Sequence, residues 1–284
     1  MTKPFPENFA SNEIKRQRIE SIDLLRGIVM IIMALDHVRA FFHYDAFYFS
    51  PTDLTQTSGI LFFTRFITHY CAPVFVFLAG ISAFLYGVKK TKKELAFYLF
   101  TRGLWLLFVE LFIISFGRTF NSSYPLFVLQ VIWAIGISMI VLAAMIYISL
   151  RWILLTSLII IIAHNVLDTV HVPGNGLASF AWSALHETGV FSWAGFNIHV
   201  SYPVLPWIGV IALGYWFGSL YAPGYNAQMR RKILLSLGVG AIFLFILLRV
   251  NNFYGDSSNW SIQKNAAFSF LSFLNVTKYP PSLH

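Results

Sequence analysis

Apolar residues collect along this chain in long blocks, at about 22–42, 61–88, 95–116, 125–150, 152–166, 203–220 and 233–250, with short polar breaks between them. A bilayer core takes about 20 apolar residues of helix. The pattern therefore predicts an all-α fold, a polytopic membrane helix bundle of about seven spans. Ser50-Pro51-Thr52-Asp53 reads as a turn after the first span. The stretch 167–202 reads as the one long loop, rich in His, Trp and Gly. Beyond residue 250 the apolar patch at 266–276 is too short to cross. The chain stops after Lys278-Tyr279-Pro280-Pro281-Ser282-Leu283-His284 with no visible terminator.

The cations sort these blocks by side. Lys15, Arg16 and Arg18 precede the first, Lys89, Lys90, Lys92 and Lys93 follow the second, and Arg230, Arg231 and Lys232 precede the last. Cytoplasmic loops carry such an excess of Lys and Arg. We therefore expect a cytoplasmic segment at 1–20 and a transmembrane domain at 21–284, in a cell inner (plasma) membrane. The absence of a small-residue cleavage site after the first block makes that block a retained span.

Composition agrees with membrane lipid as the surroundings. Of 284 residues, 57% are hydrophobic, 18% aromatic and 11% charged, against about 25% charged in soluble domains. The +8 net charge lies in the flanking clusters, which is a membrane-orienting pattern and excludes nucleic acid as the partner. The single cysteine, Cys71, permits no intrachain disulfide.

Against that background the first span is unusual, because Asp23, Arg26, Asp36, His37 and Arg39 all fall within it. Ionisable groups in a span are costly, about 3 kcal/mol each on insertion scales, and they default to function. On a helix Arg26 and His37 lie about 16 Å apart and roughly 20° apart around the axis, so they share a face expected to look into a cavity. Asp36 is turned away from His37 by about 100° and pairs more naturally with Arg39.

Counting depth from the middle of each span places Arg26 and Arg102 in an inner cationic layer. The same count places His37, His69, Arg65 and Glu110 in an outer layer, with Arg65 one turn from His69. Arginine suits phosphate, and imidazole suits proton transfer at neutral pH. Each position has a plainer reading: Arg26 as a snorkelling anchor, Arg39 and His43 as the wet end of a helix, His69 as a hydrogen bonder between spans. The Trp and His residues of the long loop, His186 among them, read most simply as interfacial packing.

Four blocks resemble a known family. They are Ser21-Ile22-Asp23-Leu24-Leu25-Arg26-Gly27 with Asp36-His37; Ala72-Pro73-Val74-Phe75-Val76-Phe77-Leu78-Ala79-Gly80; Tyr202-Pro203-Val204-Leu205-Pro206-Trp207-Ile208-Gly209 with Gly214-Tyr215; and Thr277-Lys278-Tyr279-Pro280-Pro281-Ser282-Leu283. Together they resemble the bacterial relatives of heparan-α-glucosaminide N-acetyltransferase, in the transmembrane acyltransferase superfamily. The resemblance implies transfer of an acetyl group from cytoplasmic acetyl-CoA to an outward-facing sugar or glycan acceptor, with no metal, and it implies further spans after the Lys-Tyr-Pro-Pro-Ser-Leu block, so that the chain is expected to be truncated.

Carried over, Arg26 serves coenzyme A and His37 is the catalytic histidine; the depth count adds Arg102 to the first role and His69 to the second. The enzyme that names the family departs from this pattern at His37, which keeps His43 and His69 open as alternatives. Asp23, Asp36, Arg65, Glu110, His186 and Trp207 are expected in supporting or substrate-binding positions. Two other readings stay open: a secondary transporter or channel lined by the same polar face, and a noncatalytic assembly partner. Homo-oligomerisation is left open as well.

Overall fold

The computed structural model describes residues 19–278 and 281–283. The segment 1–18, with the Lys15, Arg16 and Arg18 cluster, lies outside the described residues, as do Tyr279, Pro280 and His284 of the terminal block.

The first helix, α1 (Glu20–Phe42), carries Glu20 and Asp23 in its first turn, where the helix dipole favours negative charge. Ile22 and Val29, seven residues apart, form the buried stripe that packs on α3. Helix α2 (Gly59–Thr68) is capped by the Ser58 hydroxyl, which accepts from the Leu61 amide at 3.3 Å. A break at His69 and Tyr70 separates it from α3 (Cys71–Gly87). Pro73 sits in the first turn of α3, where its missing N–H costs little. Helix α4 (Lys92–Phe108) starts on a capping box of Thr91 and Glu94. It widens into a π-helical turn at Val109–Ile114 and ends in α5 (Ser115–Thr119).

The remaining helices are α6 (Val131–Met145), α7 (Leu150–Ala163), α8 (Leu177–Leu185), α9 (Leu205–Gly218), α10 (Ala227–Asn251) and α11 (Ala266–Leu274). Among the described residues, the stretches Gly59–Gly87, Lys92–Thr119, Leu150–Thr169 and Ala227–Asn251 are long and apolar enough to cross a membrane. This is fewer than the seven spans expected. Helices α6 and α9 have 15 and 14 residues, short of a full crossing by length alone. Helix α1 has 23 residues but carries Glu20, Asp23, Arg26, Asp36 and Arg39.

The all-α expectation is corrected by a small sheet. Strands β1 (Leu126–Leu129), β2 (Gly189–Trp193) and β3 (Phe196–Val200) lie in the order β1-β3-β2. Leu126 pairs in parallel with Asn197, and Gly189 pairs antiparallel with Val200. The fourth apolar block therefore begins as a strand, and the expected long loop holds α8 and a hairpin. The hairpin turns at Ala194 and Gly195, with φ of 47° and 90°. Positive φ at both central residues matches the right-handed twist of the flanking strands.

The core is built on α3 against α9, where the backbones touch. A Cβ on Gly80 would lie 2.1 Å from the Ile211 carbonyl oxygen, and one on Gly214 would lie 2.1 Å from that of Phe77. Small residues allow such approach, and close packing holds helices together where lipid offers no hydrophobic drive. Val76, Leu99, Leu142, Trp207 and Ile211 fill the centre. Chain direction puts the cations Lys89 to Lys93, Arg151 and Arg230 to Lys232 at one end of the bundle, the basic end. The sheet, α8 and α11 stand at the other, the sheet end.

Candidate functional site: two cavities at opposite ends of the bundle

The basic-end cavity encloses about 1390 Å³ between the start of α1, the end of α3, the start of α4 and the turn after α9. Arg26 lines it, donating from Nη2 to the Ser82 hydroxyl at 3.0 Å, with Nη1 3.6 Å from Asp23. Tyr86 and Tyr98 stack with ring centroids 4.1 Å apart. The Arg230 guanidinium lies 4.8 Å from the centre of the Tyr221 ring. Flat aromatic faces beside guanidinium forks suit a ligand that joins a heterocycle to phosphates. Arg102 stacks over Tyr98 at 5.5 Å but is exposed and does not line the cavity.

The sheet-end cavity is small, about 140 Å³, and is lined by Phe66, His69, Tyr70, Trp207, Thr277, Lys278 and Ser282 among others. The break between α2 and α3 places His69 there. Its Nδ1 bonds the Arg65 carbonyl at 2.9 Å. A carbonyl only accepts, so Nδ1 carries the proton and Nε2 keeps a lone pair.

Asp36 ties α1 to α2 beside this cavity. Its Oδ1 accepts from Arg39, from the Thr68 hydroxyl at 2.8 Å and from Arg65 at 3.3 Å. The pairing of Asp36 with Arg39 expected from their spacing is therefore present. Lys278 lies within electrostatic reach of both Asp36 and His69.

The other expected residues stand apart. His37 is exposed on α1, its Nδ1 bonded to the Met33 carbonyl at 2.8 Å, and it lines neither cavity. The face it was expected to share with Arg26 does not open into one cavity with it. His43 is also exposed. Glu110 is 1% exposed in the π-helical turn, where its Oε1 accepts from the Gln130 amide at 3.3 Å.

His186 is fully buried, its Nε2 donating to Asp168 at 2.9 Å. Burial pushes its pKa below the ordinary value, although Asp168 acts in the other direction. Asp168 also accepts from Asn165 at 2.9 Å, and His164 Nε2 bonds the Pro281 carbonyl at 2.9 Å. This polar cluster ties down the terminal segment, and none of His164, Asn165, Asp168 and His186 lines either cavity.

Sequence reasoning does not single out Ser82, Tyr86, Tyr98, Tyr221 or Arg230 as site residues, nor Lys278. Lys278 does belong to one of the family-like blocks and Arg230 to a basic cluster, and these are the signals that point to them. Among the described residues no group of three His, Cys, Asp or Glu side chains is placed to hold a metal ion.

Apolar helices around a cationic, tyrosine-lined cavity at one end and a histidine-containing cavity at the other define a membrane protein. The family model for heparan-alpha-glucosaminide N-acetyltransferase, catalytic, matches residues 18–248, and the chain belongs to that family. None of the curated proteins and none of the solved structures compared matches it.

Proposed function

We propose that the protein transfers an acetyl group from acetyl-CoA, taken at the basic end, to a sugar-type acceptor at the sheet end. The observation that carries this reading is the placement of Arg26 and His69 in separate cavities along one helix pair. Ser82 of one lining and Pro73 of the other are nine positions apart on α3, about 14 Å of helix. An extended pantetheine arm bridges a distance of that order. The tyrosines and arginines of the basic end fit the nucleotide part of such a substrate.

In the reaction the acceptor's O–H or N–H attacks the thioester carbonyl carbon. The C–S bond breaks, His69 Nε2 takes the acceptor's proton, and that proton passes to the departing thiolate sulfur. His37, whose Nδ1 likewise donates to the Met33 carbonyl so that Nε2 is the basic atom of its neutral ring, is the second candidate base. By the positive-inside pattern the basic end faces the cytoplasm of a plasma membrane.

Sealed inside-out vesicles given labelled acetyl-CoA test the reading. Label should accumulate on an acceptor in the lumen, and folded His69→Ala protein should fail to transfer it. Equal transfer by vesicles lacking the protein would contradict the proposal. The break between α2 and α3 favours one other reading, a transporter with a discontinuous helix at its site. Substrate flux in proteoliposomes without any acyl donor would favour that reading.

A further inference from the structure

Arg102 lies in a membrane-crossing stretch and lines neither cavity. It stands ten positions after Lys92 on α4, about 15 Å of helix from the basic end. Packing on α6 gives a similar depth. A Cβ on the adjacent Gly103 would lie 2.6 Å from the Gly136 carbonyl oxygen, and Gly136 is nine positions before the basic-end terminus of α6 at Met145. The stretch Lys92–Thr119 has 28 residues, about 42 Å of helix against a hydrocarbon core of about 30 Å. Centred in a bilayer, it puts the Cα of Arg102 about 9 Å inside the basic-end edge of that core.

A charge at that depth is costly and calls for a partner. Arg102 is exposed, and its guanidinium lies 5.5 Å from the centre of the Tyr98 ring, one turn towards the basic end. Among the described residues it has neither a hydrogen-bond acceptor nor a carboxylate. Glu94, earlier on α4, is taken up by Thr91 and Lys90. The lean over Tyr98 is the direction in which a long cationic side chain snorkels towards headgroups. In the other direction, towards the bilayer middle, runs an exposed aromatic ladder of Trp105, Phe108 and Phe112, with successive ring centroids 5.6 and 5.0 Å apart. A cation above an apolar track matches a headgroup phosphate above acyl chains. Lys89, Lys90, Lys92 and Lys93 at the same end favour an anionic headgroup.

We infer that Arg102 holds the phosphate of an anionic phospholipid from the basic-end leaflet, whose acyl chains lie along Trp105, Phe108 and Phe112. The guanidinium fork offers paired N–H donors to the phosphate oxygens. This lipid site goes beyond acetyl transfer and does not rest on it.

Native mass spectrometry of the purified full chain in detergent, titrated with phosphatidylglycerol or phosphatidylcholine, tests it. The first phosphatidylglycerol should bind more tightly than the first phosphatidylcholine, whose ammonium meets like charge. Arg102→Gln should weaken that first phosphatidylglycerol by at least about tenfold, with the thermal unfolding midpoint unchanged. Arg102→Lys should lose less, since it keeps the charge without the fork. If the midpoint of Arg102→Gln falls, the Lys variant decides, with a weaker lipid at an unchanged midpoint. Lys93→Gln removes an exposed cation at the start of α4 and should cost less than Arg102→Gln.

Equal affinity of the unaltered and Arg102→Gln proteins for phosphatidylglycerol overturns the inference, and would leave Arg102 as a prop for Tyr98. Equal affinity for the two lipids, or an equal loss in Lys93→Gln, overturns it as well. Displacement of the lipid by equimolar inorganic phosphate would make this a free-anion site and remove the lipid.

Discussion

His69 donates from Nδ1 to the carbonyl of Arg65, one turn earlier in the chain, at 2.9 Å. That bond fixes the tautomer and leaves Nε2 as the basic atom. General-base catalysis contributes on the order of 10²–10⁴-fold, so His69→Ala should lower acetyl transfer by that range with acetyl-CoA binding unchanged. His37→Ala, measured beside it by single-turnover transfer, should have a small effect. A large loss in His37→Ala with full transfer in His69→Ala would move the base to α1.

The α3–α9 contact depends on the missing side chain at Gly80. Overpacking costs typically about 1–3 kcal/mol, and here the obstacle is a backbone oxygen 2.1 Å from the added carbon. Gly80→Ala should lower the thermal unfolding midpoint in detergent. An unchanged midpoint would mean the two helices are not packed this closely.

Arg249 anchors the segment after α10. Its side chain is 1% exposed, 3.6 Å from an equally buried Asp256, and it donates to the carbonyls of Phe273, Ser258, Ser272 and Asn275. Removing one partner of a buried pair costs about 3–5 kcal/mol. Arg249→Met should expose residues 252–277 to protease while the helices before it stay resistant. Equal resistance in both proteins would contradict the anchor.

His186 makes stability depend on pH. Its folded-state pKa lies below the ordinary value because the ring is buried, so the unfolded chain takes the proton first as pH falls. The stability held by neutral His186 is complete above about 6.5 and is lost as pH drops through the folded-state pKa. The unfolding midpoint should fall between about pH 7.5 and about pH 5, and fall less in His186→Gln. The same fall in both proteins would place the sensitivity elsewhere.

Much of the helical plan was legible because long apolar blocks and flanking cations are local signals. The Asp36–Arg39 pair was legible from its three-residue spacing. The sheet was not, since Leu126-Phe127-Val128-Leu129 is an apolar run that periodicity cannot tell from the start of a helix. The hairpin turn at Ala194-Gly195 also lacks the Asn-Gly signal. Helical geometry put Arg26 and His37 near one azimuth, but which azimuth meets a cavity depends on neighbouring helices. Those same long-range contacts bring Trp207 and Lys278 to His69, and no spacing in the sequence encodes them.

The central claim is that the basic-end cavity takes acetyl-CoA through Arg26. Isothermal titration of the purified protein with acetyl-CoA tests it most directly. Hydrogen bonds to charged groups are worth about 1.5–3 kcal/mol, so Arg26→Ala should weaken binding by roughly 10- to 100-fold, while His69→Ala leaves it unchanged. Absence of binding to the unaltered protein, or binding indifferent to Arg26→Ala, would contradict the account.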